Sequence, residues 1–127
     1  MYMCAAIVQG KPCLGLQVDQ TRIVYLTEQT TITYREAVRR AGLLDSEDLV
    51  ALCLTDARHL HWQAIIEGAV AKAREIGAAL IVVDTLGQFA GLAGDEENSS
   101  GKAVEAMAPL QDAAAQGFAI LVLRHER

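Results

Sequence analysis

Between Ala79 and Gly91 the chain reads ALIVVDTLGQFAG, a continuous run of β-branched and aliphatic residues that stops abruptly at an acid. Alternation of polar and apolar residues marks a strand with one wet face. An unbroken apolar run bounded by polar residues marks a strand buried on both faces, the habit of central strands in parallel sheets. Such a strand needs helices on both sides, so this stretch restricts the chain to an α/β architecture. Asp84 then emerges at the strand's carboxyl end. In open α/β sheets ligands bind at that rim, and a carboxylate there can hold a magnesium ion, directly or through water, beside a nucleotide phosphate. The plainer reading is that Asp84 and Thr85 only turn the chain, and the stretch by itself leaves both open.

The rest of the sequence supplies the sheet's other strands. RIVYL (Arg22 to Leu26) and LVALCL (Leu49 to Leu54) favour strands, and YREAVRRAGLL between them has apolar residues at helical spacing with a glycine stop. WQAIIEGAVAKAREIG (Trp62 to Gly77) is a second amphipathic helix leading straight into the acid-terminated strand. GKAVEAMAPLQDAAAQG is a third, which Pro109 is expected to disturb in mid-course, and FAILVL (Phe118 to Leu123) is the fourth strand. Four strands separated by three helices predict a three-layer α/β fold, a parallel sheet with helices on both faces. The small, polar stretch AGLAGDEENSSG, Ala90 to Gly101, reads as a loop on the rim where Asp84 emerges.

A parallel sheet presents all its carboxyl ends at one rim, so the residues that follow each strand matter together. After RIVYL come Thr27, Glu28 and Gln29; after FAILVL come Arg124, His125, Glu126 and Arg127. Glu28, Asp84 and His125 are therefore expected to converge. A carboxylate near a metal-bound triphosphate can orient and partly deprotonate an attacking water, and a histidine can donate a hydrogen bond to the terminal phosphate. Each residue also has a dull explanation: Glu28 caps the next helix, His125 merely ends a strand, and the arginines are solvated.

With these segments in place, RIVYLTEQT, ALIVVDTLGQFAG, GDEENSSG and ILVLRHER resemble, in order and approximate spacing, the RepA-like branch of the RecA-type AAA-family ATPases. The resemblance covers nearly the whole chain and implies a RecA-like P-loop NTPase core acting on ATP with Mg2+. It implies that Asp84 is the Walker B aspartate that organises the metal, Glu28 the catalytic glutamate, and His125 a sensor of the γ-phosphate. Glu97 and Asn98 look like an acidic-Asn loop beside the site, with Thr85, Arg124 and Arg127 adjacent to it. It further implies a homo-oligomer, ring or filament, and coupling to DNA in the manner of replicative helicases. VQGKPCLG looks like the segment after the family's first helix. The family's phosphate-binding loop, G-x-x-x-x-G-K-[ST], has no counterpart, since Gly10 and Lys11 are followed by Pro12 with no glycine five residues upstream. The expectation is thus a partial ATPase domain over residues 1–127, with the phosphate-loop strand upstream and further strands downstream. The alternative is a non-catalytic α/β lobe for partner binding or oligomerisation. An unrelated α/β enzyme finds no support, for neither a G-x-S-x-G elbow nor a G-x-G-x-x-G turn is present.

Composition narrows the setting. A length of 127 residues suffices for one small domain with a real core, and a net charge of −5 argues against a surface that binds nucleic acid by wholesale phosphate neutralisation. Cys4, Cys13 and Cys53 are odd in number and irregularly spaced, fitting small buried hydrophobes in a reducing cytoplasm rather than a disulfide or zinc framework. No membrane span or targeting segment is read. His59 and His61 have strand-ligand spacing but precede a helix and lack a third ligand nearby. Trp62 reads as a packing residue rather than a base-stacking one, and Arg35, Arg39 and Arg40 as a solvated helix face.

Overall fold

Strand β3 (Ala78–Asp84) lies inside one parallel sheet with β1 (Arg22–Thr27), β2 (Leu49–Cys53) and β4 (Ala119–Leu123), in the order β2-β1-β3-β4. The structure is a computed structural model that describes residues 1–92 and 100–124. Around the sheet pack α1 (Tyr2–Gln9), α2 (Thr31–Arg40), α3 (Leu54–Ala57), α4 (Trp62–Ile76), α5 (Leu86–Phe89) and α6 (Ser100–Ala115). A four-stranded parallel sheet with flanking helices is the α/β architecture of a RecA-like P-loop core. Among the described residues no helix is long and apolar enough to cross a membrane.

The two central strands are buried on both faces, as the unbroken apolar run requires. On one face Val24, Leu26, Ile81 and Val83 pack with Ile65, Ile66 and Val70 of α4 and Leu110 of α6. On the other, Ile23, Tyr25, Leu80 and Val82 meet Cys4 and Val8 of α1 and Tyr34 and Val38 of α2. This is the period-2 alternation of a strand, sorted into two separate cores. All three cysteines are buried and unpaired, as expected of small hydrophobes.

Local chemistry sets the helix ends. The Thr30 side chain accepts the Thr33 N–H at 3.2 Å, so α2 starts three residues before the tyrosine at which its apolar spacing begins. At the other end of α4, Gly77 takes φ 74°, and its N–H closes on the carbonyls of Ala73 and Arg74. A side chain at that φ is disfavoured, which is why the helix stops at glycine.

One expectation is corrected. Pro109 does not interrupt α6, which runs unbroken from Ser100 to Ala115. The missing proline N–H removes only the helical bond to the Glu105 carbonyl, and the neighbouring Ala106 carbonyl accepts the Trp62 indole N–H at 2.7 Å, which ties α6 to the start of α4. Burial of Ala106, Leu110 and Ala113 along one side holds the rest of the helix on α4 and the sheet. The short α3 and α5, at four residues each, are below the length at which periodicity is readable.

Two outcomes follow from this packing. Ile81 is fully buried, and Ile81→Ala is expected to cost about 2–5 kcal/mol in a urea unfolding series. Strand β4 is terminal in the sheet order and carries AILVL, an uncharged β-prone run on a strand edge, the composition that pairs with other chains. The chain is expected to self-associate in sedimentation velocity, and Leu123→Lys, at the exposed end of that edge, to reduce the association. An unchanged profile would exclude β4 as the contact.

Candidate functional site

The β1–β3 register sets Thr27 opposite Asp84, so both strands end at one level and Glu28 and Thr85 step out side by side. The Glu28 N–H donates to the Asp84 carbonyl at 2.7 Å, carrying the ladder one step past β1. From there the side chains form two short hydrogen-bonded pairs. The Thr85 hydroxyl donates to Glu28 Oε2 at 3.0 Å, and the Tyr25 hydroxyl donates to Asp84 Oδ2 at 2.8 Å. Thr27 is fully buried beneath them and accepts the Gln29 N–H on its hydroxyl at 3.1 Å, turning the chain towards α2. The Asp84–Thr85 peptide bond is cis.

Thr85 is buried whereas Glu28 and Asp84 are half-buried. Both carboxylates therefore reach the rim, each steadied by a hydroxyl behind it. Burial raises the Tyr25 phenol well above its ordinary value, and its hydrogen bond to Asp84 adds to the rise. Tyr34, stacked at 5.7 Å between ring centroids, is raised in the same direction, chiefly by burial. Tyr25 is thus a fixed donor at neutral pH.

The donor set suits a hard cation. Asp84 and Glu28 offer carboxylate oxygens, and among the described residues no group of three His, Cys, Asp or Glu side chains stands ready to cage a metal. Magnesium is commonly held by one or two carboxylates, with waters and substrate phosphates completing its octahedron. The residues present fit that mode of binding.

Of the residues singled out from sequence, Glu28, Asp84 and Thr85 are brought together. Arg124 follows directly on Leu123, which pairs with Asp84 across β4, so it stands at the same rim one strand over. His125, Arg127, Glu97 and Asn98 lie outside the described residues. His59 and His61 are exposed in the segment leading into α4, and Trp62 packs at 6.3 Å from the Phe89 ring. Arg39 and Arg40 both bond Glu36 on the surface of α2, which holds that carboxyl down at about 2. The residue that sequence reasoning passed over is Tyr25. Its signal was there: a tyrosine two residues before a strand end shares the face of the next alternate position, and a buried phenol needs a polar partner.

The raised phenols give a testable sign. A tyrosine whose folded pKa exceeds its unfolded value contributes stability below about pH 10, and that contribution is lost as the unfolded chain begins to ionise. Absorbance at alkaline pH is expected to show two of the three tyrosines ionising only as the chain unfolds. Normal reversible titration of all three in folded protein would contradict the burial of Tyr25 and Tyr34.

Comparison with known proteins adds one finding to this geometry. No curated protein matches the chain. A family model described as an AAA domain matches residues 1–127. The match extends over every residue that builds the parallel sheet and its acidic rim, and the chain belongs to the AAA domain family.

Proposed function

We propose that this AAA-domain chain contributes the metal and water side of an ATPase site, with Asp84 in the Walker B role and Glu28 as the catalytic carboxylate. The observation that carries the reading is the pairing of Glu28 and Asp84 at one sheet rim, each bonded through one oxygen to a buried hydroxyl. When bound, magnesium would neutralise charge on the β- and γ-phosphates. Asp84 would ligate it or a water of its shell. Glu28 has Oε2 engaged by Thr85, so its carboxylate is held in one orientation from which it can accept a proton from the attacking water. His125 would donate to the γ-phosphate, with Glu97, Asn98, Arg124 and Arg127 lining the neighbouring rim.

By its resemblance to the RepA-like branch, the ATPase would couple to DNA transactions of the replicative-helicase class and act as a homo-oligomer, ring or filament. The 127 residues contain no G-x-x-x-x-G-K-[ST], so the backbone cradle and lysine that hold the phosphates are not among them. A second reading, a lobe that works by association, is favoured by one feature: Leu14 and Leu16 are 87% and 70% exposed on a tight turn.

Amide chemical-shift mapping with Mg2+ and ADP at millimolar concentration tests the reading. Changes are expected at Glu28, Asp84 and Thr85, and Asp84→Asn should remove their dependence on Mg2+. Ligand-independent spectra at those three residues would refute the site. The chain by itself is expected to hydrolyse ATP at least about a hundredfold more slowly than a core with its phosphates cradled, the scale of losing one transition-state donor. Phosphate release abolished by Asp84→Ala at ordinary ATPase rates would overturn that expectation.

A further inference from the structure

We infer that the homo-oligomer of the proposed function is built head to tail, with the Leu14–Leu16 turn of one copy seated in an apolar trough between β2 and α4 of the next. The inference rests on that reading and deepens it by naming the two surfaces in contact.

The trough follows from how helices cover the sheet. A helix is about 10 Å across and strands lie about 4.8 Å apart, so one helix covers two strands. On this face α4 lies over β1 and β3 and α6 over β4, while β2 meets chiefly the four-residue α3 at its end. Val50 and Leu52 are in register with Val24 and Leu26 and so share their face. They stay half-buried and, with Leu60, Ala64 and Gly68, line an apolar trough of about 290 Å³. Lys72, bonded to Glu75 at 3.3 Å, is its one charged residue. Gly68 keeps the trough open, since a Cβ there would meet nothing within 4 Å, although glycine inside a helix is less stable than alanine.

The turn gains nothing from an isolated copy. Leu14 is 87% exposed and takes φ 50°, the left-handed region that favours glycine, and Leu16 is 70% exposed. Backbone bonds of 2.9 Å in each direction between Cys13 and Leu16, with Cys13 buried, fix the turn, so little order remains to be imposed on docking. Charge matches as well. Lys11 precedes the turn, while Asp45 and Glu47 lead into the strand that forms one wall of the trough. All three are exposed and bonded to no described side chain. The turn extends from α1 on one face of the sheet and the trough opens on the other, so a copy that receives a turn cannot return its own across the same contact. Such a contact is heterologous and repeats into a ring or a filament.

The test is sedimentation velocity over micromolar to millimolar concentrations, on full chains that all carry Leu123→Lys so that edge pairing at β4 does not contribute. The reference chain is expected to associate beyond a dimer. Leu14→Ser with Leu16→Ser removes the apolar turn, and Gly68→Arg lays a charged, helix-favouring side chain across the trough. Each should raise the dissociation constant at least about tenfold, the scale of losing a buried interface anchor. Ile32→Ser, at an apolar residue 83% exposed on α2, should leave it unchanged. The deciding experiment mixes the first two variants. One keeps its trough and the other its turn, so a single contact survives and the mixture should give a 1:1 dimer that grows no further. Circular dichroism checks each fold. A monomeric reference chain overturns the inference, and the homo-oligomer falls with it if the chain with native Leu123 is monomeric too. Association that survives the turn and trough substitutions, falls equally in Ile32→Ser, or is not restored in the mixture leaves the homo-oligomer standing and overturns this contact.

Discussion

The pairing of β1 with β3 in one register is the constraint on which the rest of the molecule depends. Thr27 faces Asp84, Leu26 faces Val83 and Val24 faces Ile81. A slip of one residue would exchange the two faces of β1. Val24 and Leu26 would leave the core beneath α4, Tyr25 would turn away from Asp84, and Glu28 would no longer stand beside the residue that follows β3. The same apolar packing that holds the sheet together thus also holds the acidic pair in place. Each of these fully buried side chains contributes on the order of 1.5–3 kcal/mol to that choice of register.

The two rims of the sheet deal with their polar groups differently. At the amino end, Arg22 pairs with Asp48 at 2.8 Å and donates to the Ile76 carbonyl at 2.7 Å, while the Thr21 hydroxyl accepts the Ala79 N–H at 2.9 Å. Those bonds tie the start of β1 to the end of α4 and the start of β3, and they satisfy the groups of that rim internally. At the carboxyl end, hydroxyls hold the carboxylates by one oxygen each. Both carboxylates stay half-buried there, at the rim that the proposed function gives to the ligand, and the two ends of the sheet thus differ in the chemistry they present.

Much of this was legible in the sequence because it depends on patterns of period two and on strand ends. The ALIVVD run announced a strand covered on both faces, and the parallel topology then required Glu28 and Asp84 to share a rim. What escaped depends on contacts between residues far apart in the chain. Tyr25 and Asp84 are separated by 59 positions, so their bond exists only once the register is set. Pro109 looked like a break because local rules weigh its missing N–H, whereas burial of Ala106, Leu110 and Ala113 against α4 and the sheet, and the tie from Trp62, 44 positions from Ala106, hold the helix as one piece. The residues read from the Glu97–Asn98 and His125–Arg127 stretches lie outside the described structure, so the rim is drawn here from β1, β3 and the start of the segment after β4.

Trp62 is the only tryptophan in the chain, and its surroundings make it a built-in optical gauge. Its indole N–H is tied to α6, while its ring lies at 6.3 Å from Phe89 in the short helix that begins two residues after Asp84. Indole emission responds to the polarity around the ring and to its hydrogen bond, so a displacement of the Leu86–Phe89 turn changes the colour of the light the protein emits. The acidic rim therefore carries its own fluorophore, attached through one turn of helix, with no label needed to watch it move.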